Sequence, residues 1–382
     1  MMTLFHVPTA RFKLLTLFLP ALLFWFSAEV TAAVGESTSE LTSFLGNADY
    51  PDDFWTVSTL KAENMDPDAF DRLLEKIAAD KLEIHSLTVI KNGKLVADYY
   101  GIDHTGVKAR QRTPADTHEL HSTTKTLTSM LVGIAIGEGA IKNVHARAVD
   151  FFDAAETKGL DKRKKKITLE DLLTMRSGMA YEEGANDALF NLDSQPVSAL
   201  AFLHQPMALE PGKKWNYSSG NSQILSEIIR RTTGKTPLEY ATTKIFKPIG
   251  VETPQWYADG SGTQYGGWGL FLRPRDLARF GYLLLNQGKW ENTQLVPEKW
   301  MASATHPHAP TPWGGGLYGY HLWIPEIGGF ATLGYKGQDM FIFPDHNMVV
   351  VFTSELPYQV ADKILIGLTR DFLLPTFAGN KR

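Results

Sequence analysis

Short apolar runs predict β-strands near both ends of the chain. Residues 87–91 and 94–101 are two such runs, and the Asn92-Gly93 dipeptide between them strongly favours a two-residue hairpin turn. Strands return beyond residue 315, where turn residues separate three further runs: 319–324, 340–344 and 348–353. Both ends of the chain are therefore expected to supply strands.

Between these ends, apolar residues recur at spacings of three and four, which predicts helices. The most regular stretch is 120–139, whose apolar face consists of Leu127, Met130, Leu131, Ile134 and Ala135. Four further helices are predicted to begin at Pro67, Leu169, Asn221 and Tyr358. Asp66 and Thr168 are the capping residues that predict two of these starts.

This order of elements predicts an α+β fold. We expect one antiparallel sheet, built from both chain ends and flanked by the terminal helices, with an all-helical lobe inserted beside it. The predicted α/β lobe comprises residues 53–112 and 316–382, and the predicted helical lobe comprises 113–315. The helix at 120–139 opens the insertion, so its start should lie at the seam between lobes, where pockets tend to form.

The N-terminus has the pattern of a secretory signal peptide. Arg11 and Lys13 precede a broken apolar run over 14–26, and small residues follow at 31–33. We predict a signal peptide over 1–32, a leader over 33–52 and a periplasmic location without a stable membrane anchor, although an uncleaved anchor is the alternative. The chain of 382 residues has no cysteine, which excludes thiolate chemistry, and its net charge of −4 gives no indication of nucleic-acid binding.

Ser122 and Lys125 have the spacing of a nucleophile and its base. Three residues apart at a helix start, they point from the same face of its first turn. A serine hydroxyl becomes nucleophilic when a base removes its proton, and burial and the positive end of the helix dipole both favour a neutral lysine. Helix-start N–H groups could also stabilise an oxyanion.

The S-x-x-K pattern alone is weak, because Ser122 could be an ordinary N-cap and Lys125 a solvated side chain. A second match, Ser58 to Lys61, has no apolar helical run behind it and is interpreted as a loop. Two downstream segments could complete a site. Tyr217 offers a phenol that could shuttle a proton if a neighbouring ammonium lowers its pKa, and the N–H of Gln338 could be a second oxyanion donor.

Five segments in this order resemble the class C β-lactamase-type serine hydrolases. They are LHSTTKTLTSMLVGIAIGEG, LEDLLTMRSGM, PGKKWNYSSGNSQILSEIIRRTTG, GGWGLFLRPRDLARFGYLLLNQGKW and GYKGQDMFIFPDHNMVVVFTS. This superfamily includes DD-peptidases, esterases of the β-lactamase fold and 6-aminohexanoate-dimer hydrolases, and the last group looks nearest. The resemblance covers roughly residues 53–374. It implies Ser122 as nucleophile, Lys125 as base, Tyr217 as second acid/base and Tyr335-Lys336-Gly337 as the third motif.

Two motifs depart from the family pattern. The second motif is often Tyr-x-Asn, whereas here Ser219 takes the place of the asparagine. A shifted register, Ser219-Gly-Asn221, would match a Ser-x-Asn pattern, so Ser219 is the alternative to Tyr217 as proton relay. In the third motif Tyr335 stands where the family has a cation and Lys336 comes one place late, so efficient β-lactamase activity is not expected. His104-Thr-Gly106 matches that motif literally but precedes the nucleophile.

Several other patterns have simpler interpretations. His118-Glu-Leu-His121 is one residue too short for a zinc-binding H-E-x-x-H helix, and we expect His121 to pack at the start of the nucleophile helix. Gly234-Lys-Thr236 lacks the leading glycine of a P-loop.

The charge run 161–166 predicts a solvated loop. Tyr181 and Asp187 are assigned to the surface. A mainly buried position is predicted for the aromatic residues that might otherwise line a cleft: Trp215, Trp268, Trp323 and Tyr320.

The sequence therefore predicts a serine hydrolase that cleaves an amide or ester bond through an acyl-enzyme on Ser122. The substrate would be a small molecule or a short peptide-like compound, and the reaction needs no metal or organic cofactor. The alternative is a catalytically silent relative that binds peptidoglycan or peptide ligands.

Overall fold

An eight-stranded antiparallel sheet forms the centre of the fold. The computed structural model describes residues 55–191, 197–312 and 316–374, which all belong to one compact unit, Ser43–Arg382. From one edge of the sheet to the other, the strands are β10 (Ala309–Pro310), β11 (Gly316–Tyr318), β12 (Trp323–Pro325), β13 (Phe330–Thr332), β14 (Met340–Phe343), β15 (Met348–Ser354), β1 (Ile84–Lys91) and β2 (Lys94–Tyr100).

The two ends of the chain meet in this sheet, which confirms the predicted fold class. Strand β1 pairs with β15 along its whole length, from Ile84 opposite Ser354 to Lys91 opposite Met348. The hairpin predicted between β1 and β2 is present. Asn92 and Gly93 have φ angles of 53° and 75°, the left-handed conformation that a tight two-residue turn of this kind requires.

Alternate residues of the central strands enter two separate cores. Val349 and Val351 of β15 pack among the helices of the insertion, whereas Val350 and Phe352 face the terminal helices. Side chains of a strand point to opposite faces in turn, so a strand covered on both faces is apolar at nearly every position. This explains why the run at 348–353 shows little alternation between apolar and polar residues.

Helices cover both faces of the sheet and fill the insertion. In chain order they are α1 (Pro67–Ala79), α2 (Thr124–Gly137), α3 (Leu169–Leu173), α4 (Ser198–Leu203), α5 (Ser219–Thr233), α6 (Pro237–Ala241), α7 (Pro274–Leu285), α8 (Glu298–Ala304) and α9 (Ala361–Leu368). Short 3-10 segments occur at Lys61–Glu63, His121–Thr123, Ala148–Phe151, Lys162–Lys166, Asp187–Asn191 and Pro344–His346, and π-helical turns occur at Thr242–Phe246 and Thr369–Leu373. The predicted caps are present: Asp66 accepts the N–H of Asp68, and Thr168 forms a capping box with Asp171.

The insertion also contains short strands. Three of them form a small sheet in the order β5 (His118–Glu119), β7 (Leu270–Leu272) and β6 (Gln255–Trp256). A two-stranded ribbon of the insertion pairs β8 (Lys289–Trp290) with β9 (Thr293–Gln294). Another ribbon, which precedes the insertion in the chain, pairs β3 (Ile102–Asp103) with β4 (Arg110–Gln111). Strand β5 leads directly into the 3-10 turn that contains Ser122.

Two local predictions are wrong. The strand expected over 319–324 is interrupted, because Gly319 and Leu322 close a turn and His321 adopts a φ of 57°. The charge run 161–166 is not fully solvated. Its residues form a 3-10 helix, and the side chain of Lys164 turns inward so that the residue is only 2% exposed.

Residues 1–54 lie outside the described part of the chain. The signal peptide, the leader and the alternative of an uncleaved anchor therefore stay predictions. Within the described ranges, every helix is too short or too polar to cross a bilayer.

Candidate active site

Ser122 and Lys125 meet at the start of the helix on the insertion side of the sheet. Ser122 lies in the 3-10 turn His121–Thr123, and Lys125 belongs to the first turn of α2. The Lys125 ammonium donates to Ser122 Oγ at 2.9 Å. The pair that was predicted from spacing is therefore in direct contact, as a nucleophile and its base must be.

Lys125 is enclosed and fully bonded. It is 1% exposed, and its Nζ also donates to Ser219 Oγ and to the Gly267 carbonyl, each at 2.9 Å. Burial lowers the pKa of Lys125 to about 8, although the negative charges of Glu183 and Asp187 act in the opposite direction. A substantial fraction of this lysine is therefore neutral in mildly alkaline solution and able to accept a proton.

Tyr217 is buried beside the same two residues. The Lys125 ammonium lies 4.8 Å from the centre of the Tyr217 ring. Burial raises the pKa of Tyr217 well above its ordinary value, and a hydrogen bond with Ser122 offsets only part of that effect. The expected lowering of this pKa is therefore wrong for the free protein: the phenol stays protonated near neutral pH.

Ser219 bridges Lys125 to a carboxylate. Its hydroxyl donates to Glu183 Oε1, and its backbone N–H donates to Glu183 Oε2 at 2.9 Å. Glu183 is not among the predicted site residues, because a glutamate in an irregular loop has no spacing that relates it to Ser122. Tyr181, assigned to the surface, is in fact buried, and it interacts with Ser219 and Glu183. Asp187 is exposed, as predicted.

A glycine-containing turn between β13 and β14 approaches the segment that contains Ser122. The Thr123 hydroxyl donates to the Gln338 carbonyl at 2.7 Å, which places Gln338 beside the residue that follows Ser122. The N–H of Gln338 donates to the Gly334 carbonyl at 3.2 Å, so it is engaged within the turn. Gly337 has a φ of 90°, and an added Cβ would lie 2.3 Å from Ser354 Oγ, so both the turn and its packing require glycine.

The two residues before Gly337 point in different directions. Tyr335 is 45% exposed, and its ring contacts the ring of His121 at a centroid distance of 5.4 Å. His121 therefore packs at the start of α2, as predicted. Lys336 forms an ion pair with Glu355. At the position where the third motif usually has a cation, this chain thus has the aromatic ring of Tyr335, which lies at the rim of the site.

The patterns that were set aside have structural explanations. Ser58 donates to Glu63 at 2.8 Å, and Gly234 and Thr236 form the end of one helix and the cap of the next. Of the four aromatic residues, Trp323 and Tyr320 are buried, and Trp215 and Trp268 are partly buried. Trp215 and Trp323 both pack against Tyr217, with ring centres 5.9 Å away, so they support the site.

Comparison with known proteins identifies the family of the chain. The family model for Beta-lactamase matches residues 70–371. A 6-aminohexanoate-dimer hydrolase of Paenarthrobacter ureafaciens is 24% identical over 289 residues, which cover 70% of this chain and 72% of that protein. A teichoic acid D-alanine hydrolase of Staphylococcus aureus is 33% identical over 129 residues, 31% of each chain.

The fold has solved counterparts as well. The structure of a candidate 6-aminohexanoate-dimer hydrolase from Bacillus anthracis superposes with a TM-score of 0.66 at 24% identity, covering 80% of this chain and 82% of that one. Because the family model spans most of the chain, including Ser122, Tyr217 and Gln338, the protein belongs to the beta-lactamase family, within the superfamily of serine hydrolases.

Proposed function

We propose that the protein hydrolyses an amide or ester bond through an acyl-enzyme on Ser122. The observation that supports this most directly is the Lys125 ammonium, buried and 2.9 Å from Ser122 Oγ. Burying an ammonium costs free energy. Lys164 is buried as well, so burial alone does not identify a base; Lys125 differs because its ammonium contacts a serine hydroxyl. Its lowered pKa is what a general base requires.

In the proposed reaction, neutral Lys125 takes the proton of Ser122 as its Oγ attacks the substrate carbonyl. The tetrahedral intermediate then collapses, the carbon–heteroatom bond breaks, and the neutral phenol of Tyr217 protonates the leaving group. The proton held by Lys125 then restores the Tyr217 phenol. Water attacks the acyl carbonyl while neutral Lys125 takes its proton, and the acid leaves as Lys125 returns that proton to Ser122 Oγ. The contact of Tyr217 with Ser122 supports the tyrosine as the relay, whereas the bonding of Ser219 to both Lys125 and Glu183 supports a positioning role for that serine.

We propose the N–H groups of Ser122 and Gln338 as the oxyanion donors. The Gln338 N–H is engaged with the Gly334 carbonyl, so it would have to turn toward the substrate when an oxyanion forms. Tyr335 and Gly337 would shape the same edge of the site. Lys336 is paired with Glu355, so β-lactam carboxylates would lack their usual partner and penicillins should be poor substrates.

The named activities of the relatives suggest which substrates to test first. Linear amides are suggested by the 6-aminohexanoate-dimer hydrolase, and D-alanyl esters by the teichoic acid hydrolase.

We propose that the reaction takes place in the periplasm, after removal of residues 1–32. Mass spectrometry of the exported protein would show a new N-terminus near residue 33, and an intact N-terminus would contradict removal of the segment.

A second function, ligand binding without turnover, is favoured by one observation. The Gln338 N–H is occupied within the turn, and a permanently occupied donor could not stabilise an oxyanion. Such a protein would bind peptidoglycan or peptide fragments without forming an acyl-enzyme.

A fluorophosphonate probe distinguishes the two functions, because it labels only an activated serine. Ser122→Ala should abolish labelling. Ser58→Ala removes the other S-x-x-K serine, which is bonded to Glu63, and should leave labelling unchanged. Absence of labelling in the folded wild-type protein, together with binding of peptidoglycan fragments, would support the silent alternative. A panel of p-nitrophenyl esters, a cephalosporin, D-Ala-D-Ala peptides and linear amide oligomers would then define the substrate.

A further inference from the structure

A second cluster of ionisable side chains lies outside the candidate active site. Glu83 immediately precedes β1, His85 is in β1, and Asp103 ends β3. One ligand atom from each residue lies within 4.8 Å of the others. Among the residues that the structure describes, this is the group of histidine and carboxylate side chains with the spacing needed to hold one ion.

The two separations from His85 fit metal ligands better than hydrogen bonds. His85 Nε2 lies 3.4 Å from Glu83 Oε1 and 3.6 Å from Asp103 Oδ1. A charge-assisted N–H···O bond would be about 2.7–2.9 Å long. Tetrahedral coordination with bonds of about 2.0–2.2 Å places neighbouring ligand atoms about 3.3–3.6 Å apart.

The His85 imidazole is enclosed and aimed at the two carboxylates. Its side chain is 3% exposed, and neither ring nitrogen makes a hydrogen bond of normal geometry. Buried polar groups in folded proteins almost always have partners, so this ring requires an explanation. The Glu83 side chain is 21% exposed, which leaves a route from solvent to the cluster.

The carboxylates are held in place by donors other than His85. Asp103 Oδ1 accepts from the N–H and hydroxyl of Thr105, and its Oδ2 accepts from Arg112 at 2.6 Å. Glu83 Oε1 accepts from the N–H of His104 at 2.6 Å. Outer bonds of this kind orient the ligands of metal sites. Arg110 also interacts electrostatically with Asp103 but is paired with Asp116. Glu83, Asp103 and Arg112 together therefore leave a net negative charge for a cation.

We propose that Glu83, His85 and Asp103 bind one divalent transition-metal ion, with Zn²⁺ the best match. An imidazole nitrogen together with two carboxylate oxygens is a ligand set that suits Zn²⁺, whereas Mg²⁺ prefers oxygen ligands alone. Three protein ligands leave a fourth position for water on the exposed side of Glu83.

A metal ion bound at this site would stabilise the sheet near the segment that contains Ser122. The His85 ring lies 5.5 Å from the ring of His118, which is in β5, four residues before Ser122. The Glu83 carbonyl accepts the N–H of Glu355, the residue that pairs with Lys336. Metal binding would therefore stabilise the fold where both walls of the candidate active site are attached.

The test measures zinc bound to the full chain after metal removal with a chelator, reloading with ZnCl₂ and dialysis. We compare wild type with His85→Gln, Glu83→Gln and the control His145→Gln, whose exposed ring lies 3.7 Å from a single carboxylate of Glu170. We expect one bound zinc per chain and a raised Tm in the wild type and the control. Both variants should bind at least tenfold more weakly and show no Tm shift.

Co²⁺ provides a direct readout of the ligands, because four-coordinate Co²⁺ has intense visible bands that should disappear in both variants. If His85→Gln does not fold, zinc binding by Glu83→Gln tests the proposal, because the Glu83 side chain is partly exposed. The proposal is overturned if the folded wild-type chain retains no zinc, or if Glu83→Gln retains zinc as well as the wild type does. In that case His85, Glu83 and Asp103 form only an ion-pair cluster.

Discussion

At the scale of single residues, the surroundings of Lys125 decide whether it can act as a base. Three acceptors at 2.9 Å stabilise its ammonium, and burial disfavours the same charged form. The balance leaves the pKa of Lys125 at about 8. Tyr217 is affected in the opposite sense, because burial favours its neutral phenol. Burial thus favours a neutral amine and a neutral phenol side by side, the forms in which the proposed base and acid would act.

The first prediction concerns the pH dependence of the proposed hydrolysis. The active form has neutral Lys125, so kcat/KM should rise about tenfold per pH unit below pH 8 and level off above it. The measurement is a pH–rate profile with a p-nitrophenyl ester. Lys164→Met is the matched control: this second buried lysine also has a pKa of about 8 but is not part of the site. A midpoint that moves in this control would contradict the assignment to Lys125.

The second prediction separates the two possible proton relays. Tyr217→Phe keeps the ring and removes the hydroxyl, so we expect kcat to fall by about 10²–10⁴-fold. Ser219→Ala should have a smaller effect, because it removes a contact of Lys125 rather than a proton carrier. Tyr240→Phe is the control, since that hydroxyl bonds to Glu138 outside the site. A larger loss in Ser219→Ala than in Tyr217→Phe would transfer the relay role to Ser219.

At the scale of elements, the turn between β13 and β14 determines how the chain approaches Ser122. It combines a left-handed Gly337 with a carbonyl of Gln338 that Thr123 holds. The turn also directs Tyr335 to the rim and Lys336 to Glu355. A change in this turn should therefore alter both stability and activity.

The third prediction compares two glycines with nearly the same backbone conformation. Gly337 has a φ of 90° and Gly328 a φ of 89°, but only Gly337 has atoms within 4 Å of an added Cβ. Gly328→Ala should cost about 1–2 kcal/mol of backbone strain. Gly337→Ala should cost about 1–3 kcal/mol more through steric overlap, with a loss of turnover. Urea unfolding and ester hydrolysis measure the two effects, and equal stability losses would contradict the steric explanation.

At the scale of the whole molecule, a buried ion pair connects the insertion to the sheet. Arg275 of α7 donates to Asp98 of β2 at 2.8 Å, and Asp98 also accepts from Thr88 and Tyr100. The Asp98 side chain is 1% exposed. Because α7 packs across β1, β14 and β15, this contact helps to hold the helical region against the strands.

The fourth prediction is that Asp98→Ala destabilises the fold by about 3–5 kcal/mol, because it leaves a guanidinium and two hydroxyl groups without their buried acceptor. The exposed pair of Arg147 and Asp150 is the control, and Asp150→Ala should cost less than about 1 kcal/mol. Urea unfolding followed by circular dichroism measures both. Comparable losses in the two variants would contradict the larger contribution expected of the buried pair.

The sequence by itself determined the features that depend on near neighbours along the chain. Apolar spacing placed the nucleophile helix, Asn92-Gly93 specified the hairpin, and the three-residue spacing joined Ser122 to Lys125, because one helical turn brings such residues together. The order of strand and helix patterns was sufficient for the fold class.

Only the tertiary structure decided which distant residues share a pocket. Glu183 reaches Ser219 from a loop 36 positions away, and Gln338 is held by Thr123 across 215 positions. No local period relates such residues, since long-range packing alone brings them together. The same holds for the direction of the Tyr217 pKa shift and for the cluster of Glu83, His85 and Asp103, because desolvation and ligand geometry arise only when separate segments meet.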